Sequence, residues 1–377
     1  MTARRIRDFV GRFDWPLFAG TVLVSGIGLV TLYSVAIGRG GGDLYTFQKQ
    51  LIIAAVGFVL YLGLSFIDFH SWQSMSRWLY VAMLALLAVT LVFGQVVNGT
   101  RGWIGVGSLR FQPVELAKLV GVIVLASYFA RRSRELDLLS NLAQSFFVAA
   151  FLAALVFFQP DFGSAALLLA LWAGLVLVIG VKRKYFIVAT ITAVVLFAVA
   201  WFFLFKPYQK ERIATFFSPT AVTSATYNVR QATIAVGAGQ LVGRGLGEGS
   251  QSQLRFLPEA ETDFIFAVIA EQLGFAGIVV LLGVFGIMYV RMFILLNRCQ
   301  DWFAAFLILG SIILFSVEIF VNAGMSMGLV PVVGIPFPLV SAGGSSLLVH
   351  LALLGIVQNI ARSEGSRGYQ VSKVATV

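Results

Sequence analysis

The sequence predicts an all-α, polytopic integral membrane protein of about ten transmembrane helices, with one large extracytoplasmic loop between spans seven and eight. Of its 377 residues, 59% are hydrophobic and 12% charged, against roughly 45–50% and 25% in soluble domains, and mean hydropathy is +0.91. Apolar runs long enough to cross a hydrocarbon core of roughly 30 Å recur along the chain. From Lys206 to Asp263 that pattern stops. Six Lys/Arg, five Asp/Glu, three prolines and a glycine cluster (Gly237, Gly239, Gly243, Gly245, Gly247, Gly249) take its place.

The spans begin near residues 15, 51, 79, 114, 142, 162, 185, 264, 302 and 337, seven before the long loop and three after it. The first follows a basic segment (Arg4, Arg5, Arg7, Arg12) and has no small-residue cleavage site, so it reads as an uncleaved span. Between the third and fourth lies NGTRGWIGVGSLRFQPVELAK, whose Trp103, Arg101 and Arg110 suit an interfacial segment that folds back before a Pro-initiated helix. The fourth span carries Glu115 and Lys118, three residues apart on one helix face, where they can neutralise each other. Only residues 159–163 separate the fifth from the sixth, and Asp161, after Pro160, reads as the N-cap of the sixth. Before the last span, GLVPVVGIPFPLVSAGGSS places three prolines at membrane depth, where irregular backbone is tolerated only inside protein or lining a cavity. Residues 363–377 read as a short polar tail, expected to be disordered. The whole, 1–377, is expected to be one membrane domain.

Orientation follows from charge. Basic residues concentrate at the N-terminus, at Arg77, Arg131, Arg132 and Arg134, at Lys182, Arg183 and Lys184, at Arg291 and Arg298, and at Arg362, Arg367 and Lys373. By the positive-inside rule both termini are cytoplasmic and the 206–263 loop is outside. The net charge of +10 therefore reports orientation and not nucleic-acid binding. The basic residues of the outer loop run against this bias, and an anionic ligand would account for them. Cys299 is the single cysteine, which excludes an internal disulfide, and with only His70 and His350 beside it there is no His/Cys zinc set. No nucleotide P-loop motif occurs, and the glycine cluster is read first as turns and second as an anion contact.

Five acidic residues lie in or beside apolar runs: Glu115, Asp161, Asp263, Glu271 and Glu318. Ionisable groups there cost about 2.5–3.5 kcal/mol on insertion and are functional candidates by default. Glu271 and Glu318 have no base nearby in sequence and are read as structural polar contacts. Asp263 stands at the polar–apolar junction. It could cap the following helix, itself or through Thr262, or act as a general base whose pKa partial desolvation raises. A base beside cations at headgroup depth suits chemistry on a lipid phosphate.

The stretches RFQPVELAK (110–118), QPDFGSA (159–165), YNVRQATIAVGAGQLVGRGLGEGSQSQLRFLPEAETDFIFAVIAEQLG (227–274) and GLVPVVGIPFPLVSAGGSS (328–346) are together specific. In them the chain resembles, over nearly its whole length, the SEDS family (shape, elongation, division and sporulation), and most closely its rod-shape branch. The resemblance implies a multi-pass protein of the bacterial plasma membrane that polymerises lipid II into glycan strands during elongation and shape maintenance. It also implies a class B penicillin-binding protein as the crosslinking partner. By position Asp263 matches the family's essential aspartate, and Glu115 and Lys118 its functional pair. The chain departs from the usual pattern at Gly102, Val114, Glu261 and Ala342. The implied mechanism is inverting: Asp263 deprotonates the 4-hydroxyl of lipid II, which attacks the anomeric carbon of a strand held on polyprenyl pyrophosphate. Since pyrophosphate leaves readily, no second acid is needed, only positive charge on the phosphates. Lys118, Arg110, Arg212, Arg230 and Arg255 are the candidates, with a divalent cation, Mg2+ or Mn2+, as the candidate cofactor. A lipid II flippase or transporter and a non-catalytic scaffold for a partner are the rival readings.

Overall fold

The computed structural model describes residues 11–38, 44–97, 99–106, 109–133, 138–180, 185, 202, 210, 216, 224–254 and 256–374. Among them, nine helices are long and apolar enough to cross a membrane. Six precede the long loop: α1 (Trp15–Gly38), α2 (Tyr45–Leu64), α3 (Phe69–Phe93), α4 (Pro113–Arg131), α5 (Leu139–Phe158) and α6 (Phe162–Ile179). The span expected from residue 185 lies outside the described residues, as do Arg212 and Arg255. Two short helices, α7 (Ser224–Gly239) and α8 (Ser250–Gln253), are followed by α9 (Ile265–Arg298), α10 (Trp302–Ser326) and α11 (Gly344–Val374). The most deeply buried spans are α4 and α11, and the least buried are α2 and α3, whose apolar faces look outward.

Four expectations change. The segment between α3 and α4 is a small antiparallel sheet, β1 (Gln95–Val97), β2 (Thr100–Val106) and β3 (Leu109–Phe111), in the order β1-β2-β3. Its β-formers Trp103, Ile104 and Val106 are interspersed with glycines, which conceal the strand pattern. Part of the 206–263 loop is helix: Ala232 and Ala235, three residues apart, are completely buried, so α7 is an amphipathic helix packed on α9. The last helix begins at Gly344, seven residues after the expected start, because Pro336 and Pro338 hold the chain out of helix. The tail expected to be disordered continues α11 to Val374, since lengthening a helix needs no new nucleus.

The long helix α9 is broken. Gly274 has φ 65° and ψ −166°, a conformation outside the helical region that glycine adopts readily. The break leaves backbone groups without helical partners, and residues 240–245 supply them. Phe275 N donates to Gln240 O (2.8 Å) and Ala276 N to Leu241 O (2.9 Å), while Arg244 N and Gly245 N donate to Glu271 O and Gln272 O (both 3.0 Å). The glycine cluster serves this contact: Gly243, Gly245 and Gly247 all turn with positive φ, as expected of turns. Glu271, completely buried, accepts from Gln251 N (2.8 Å) and Ser252 N (3.1 Å) at the start of α8, which makes it the structural contact expected.

A β-carbon on Gly239 would lie 1.8 Å from Ala270 O, whereas one on Gly283, farther along α9, would meet nothing within 4 Å. Gly239→Ala is therefore expected to destabilise the protein by roughly 1–3 kcal/mol. Gly283→Ala should be neutral or stabilising by up to about 1 kcal/mol. Thermal unfolding of the two variants in one detergent checks the pair, and equal transitions would contradict it.

Candidate active site

At one end of the bundle, α4, α9 and α11 begin and α10 ends. Two groups of polar residues meet there. The first surrounds Asp263 in the turn before α9. The N-cap of α9 is Phe264, with no side-chain capping bond. Thr262 Oγ1 donates instead to the Glu259 carboxylate (2.9 Å), so neither Thr262 nor Asp263 caps this helix. The turn closes on Glu259 O, which accepts from Asp263 N (3.1 Å) and Phe264 N (3.2 Å).

The irregular segment 328–343 is laced to this turn through main chain. Asn322 Nδ2, completely buried on α10, donates to Asp263 O (2.9 Å) and to Ile335 O (2.8 Å). Ser341 Oγ donates to Thr262 O (2.6 Å) and accepts from Phe337 N (2.8 Å), and Ala342 N donates to Glu261 O (2.8 Å). From α2, Gln50 donates to Ser341 O (3.1 Å) and accepts from Gly343 N (3.3 Å). Residues 335–341 thus lie largely inside protein, as their sequence required, while Leu329 and Gly334 are exposed. Gly334 is exposed with φ 71°, and a β-carbon there would stand 3.4 Å from Asp263 Oδ2. The carboxylate therefore lies over a bare stretch of backbone at the protein surface.

The second group is charged and dry. Lys118 Nζ donates to Glu115 Oε1 (2.8 Å) and Oε2 (3.0 Å), and to Glu318 Oε1 (2.9 Å). Glu318 Oε2 lies 2.7 Å from His350 Nε2, and His350 Nδ1 lies 3.3 Å from Ser346 Oγ. Lys118, Glu318 and His350 are completely buried and Glu115 nearly so. The expected Glu115–Lys118 pair is present, but the expectation that Lys118 faces outward to phosphates is not: its ammonium is sealed and its donors are engaged within the protein. Glu318, expected as a plain polar contact, is its second carboxylate partner. Local sequence offered no sign of that pairing beyond an acid and an imidazole in two neighbouring apolar spans.

The two groups touch through α10. Glu318 and Asn322 are four residues apart, one turn along one face. At the start of α4, Gln112 N donates to Ser345 Oγ (3.0 Å) and Gln112 Nε2 to Asp161 Oδ2 (3.4 Å). Asp161 is the N-cap expected, accepting from Ser164 N (3.0 Å). Arg110, on β3, and Arg230, on α7, are both exposed. Of the departures from the family pattern, Val114 is buried in apolar packing, and Glu261 and Ala342 meet in a backbone hydrogen bond.

Replacing Lys118 takes a partner from two buried carboxylates and leaves Glu318 only His350, whereas replacing Glu115 leaves Lys118 its bond to Glu318. Lys118→Met is expected to cost about 3–5 kcal/mol and Glu115→Gln less. The double variant should lose less than the sum. Unfolding midpoints of the two singles and the double measure this, and strict additivity would rule the coupling out.

The chain matches the cell cycle protein family FTSW/RODA/SPOVE over residues 15–366. It is 33% identical over 342 residues to peptidoglycan glycosyltransferase MrdB of Escherichia coli K12, covering 90% of this chain and 92% of that one. It is 35% identical over 361 residues to the probable peptidoglycan glycosyltransferase FtsW of Tolumonas auensis, covering 92% of each. Among solved structures, a chain of a peptidoglycan synthase complex, studied for its coordination of polymerization and crosslinking, matches with a TM-score of 0.79 at 29% identity, over 93% of this chain and 98% of that one. Rod shape determining protein RodA of Thermus thermophilus matches with a TM-score of 0.68 at 29% identity, over 93% and 97%. This multi-pass, predominantly helical membrane protein belongs to the FtsW/RodA/SpoVE family.

Proposed function

We propose that the chain is a peptidoglycan glycosyltransferase of the bacterial plasma membrane, with cytoplasmic termini, and that Asp263 is its general base. The carrying observation is the Asp263 turn. Its backbone is clamped by Asn322 and Ser341 while its carboxylate is spared from helix capping and lies over exposed Gly334. A base must hold its position against the hydroxyl it deprotonates, and clamps on the main chain of its turn provide that. The acceptor is lipid II and the donor a glycan strand on polyprenyl pyrophosphate. Asp263 takes the proton of the acceptor 4-hydroxyl, the hydroxyl oxygen bonds to the donor anomeric carbon with inversion, and the pyrophosphate leaves with the electron pair of the broken bond.

With Lys118 sealed, charge on the leaving pyrophosphate falls to Arg110, Arg230, Arg212 and Arg255, the last two outside the described residues. Lys118 and Glu115 then act by holding the helices and not by touching phosphate. Mg2+ or Mn2+ remains a proposed companion of the pyrophosphate, ligated chiefly by phosphate oxygens and water. Among the described residues no three His, Cys, Asp or Glu side chains converge to hold a metal ion. The proposed crosslinking partner is a class B penicillin-binding protein.

Purified protein with labelled lipid II and no nucleotide should yield polymer. Translocation in vesicles without polymer would favour a flippase instead. Asp263→Asn keeps the shape and should lower polymerisation by roughly 10²-fold or more with unfolding unchanged. Normal polymerisation by this variant would remove Asp263 from the role. Arg110→Gln and Arg230→Gln should each weaken lipid II binding in nanodiscs by about tenfold, as expected of a charge-assisted contact. Binding of undecaprenyl alcohol should be untouched. Wild-type lipid II affinity in both variants would place the phosphate contacts elsewhere.

A further inference from the structure

We infer that His350, acting through Glu318, is a positioning residue for glycosyl transfer: it completes a buried polar quartet that sets the helix carrying the Asp263 clamp. The inference rests on the polymerase reading above. Its basis is a count of charges and a chain of distances. Glu115 and Glu318 set two negative charges against the single positive charge of Lys118, in a place buried from solvent. An uncompensated charge is the costly case in such a site. His350 Nε2 lies 2.7 Å from Glu318 Oε2, and its Nδ1 lies 3.3 Å from Ser346 Oγ. Glu318 thereby has a partner at each carboxylate oxygen, Lys118 at Oε1 and His350 at Oε2. Glu318 faces His350 from α10, beside the Phe315 ring (5.2 Å), with Lys118 and Glu115 behind it on α4.

Stability alone gives little reason for such a cluster. Well-packed apolar residues of similar volume are often as stabilising as a buried ion pair or more so. A quartet does something apolar packing does not: it admits one geometry. Glu318 is held from α4 by Lys118 and from α11 by His350, so the rotation and depth of α10 are fixed from two sides. One turn farther on, Asn322 grips Asp263 O and Ile335 O. Lys118 has no outward donor, so the quartet reaches the reaction only through this geometry. A displacement of about 1 Å at a reacting group can lower a rate by about 10²-fold.

The test uses full-length protein in liposomes with labelled lipid II, comparing wild type with His350→Leu, His350→Gln, Glu318→Gln and the double variant His350→Leu/Glu318→Gln. Expected are kcat losses of about tenfold or more in His350→Leu and Glu318→Gln, with KM for lipid II held within about twofold. The double variant should be no worse than the poorer single, and His350→Gln, which keeps a donor, should recover part of the rate. Hydrogen exchange of the Phe337 and Ala342 amides, which reads the clamp without activity, should quicken in His350→Leu and not in His350→Gln. A folded His350→Leu or Glu318→Gln with wild-type kcat and wild-type exchange overturns the inference. So does misfolding of both, which would make the quartet a folding element. Where only one of the two folds, the same criteria applied to it decide. Absence of polymer from wild type would sink the polymerase reading, and the exchange measurement would still decide the positioning.

Discussion

In hydrocarbon an unpaired backbone N–H or C=O costs several kcal/mol, so a chain that leaves helical geometry there must find partners within the protein. Among the described residues this chain leaves it at Gly274 and between residues 328 and 343, and both departures find partners within the protein. The break at Gly274 is filled by residues 240–245, and the irregular segment by the side chains of Asn322, Ser341 and Gln50. Both repairs join elements distant in the chain. The stretch beyond the apolar runs is thus bound to the bundle by the same requirement that makes the spans helical.

That requirement also shapes the site. The groups that satisfy the 328–343 segment are those that hold the Asp263 turn, since Asn322 donates to both and Ser341 bridges both. The segment's packing and the placement of the carboxylate are one structural fact. Side-chain amides and hydroxyls hold the backbone, and the carboxylate lies over the exposed Gly334. Donors and acceptors fixed before the reaction need no reorganisation during it, which is the property preorganised sites share.

Charge is handled differently at the two ends of the molecule. Near the end where α1 begins, Arg291 and Asp14 form a bidentate pair (2.8 Å at the closest contact) within reach of water. At the opposite end of the bundle, Lys118, Glu318 and His350 are sealed from it. The first is an ordinary tie between α1 and α9. The second is expensive to assemble and tolerates no vacancy, because removing one member leaves another buried and uncompensated.

Much of the fold was legible in the sequence because the bilayer imposes a length and an apolarity on each span, and both are local properties. The same holds for the Asp161 cap, the helix begun by Pro113, the Glu115–Lys118 pair and the buried irregular segment before the last span. Each depends on residues a few positions apart. The strands around Trp103 and the helix at Ala232–Ala235 were not legible, since interspersed glycine and a long polar surround hide short patterns. The partnership of Lys118 with Glu318 spans 200 residues, and the grip of Asn322 on Asp263 spans 59. No local pattern encodes such pairs, because they exist only once helices have packed and set which faces meet. The sequence by itself determined the membrane class, most of the spans and the chemical character of Asp263. Only the tertiary structure decided that Lys118 points inward, that Glu318 and His350 complete its surroundings, and that Asp263 stands on a clamped turn, because burial and long-range contact arise from packing.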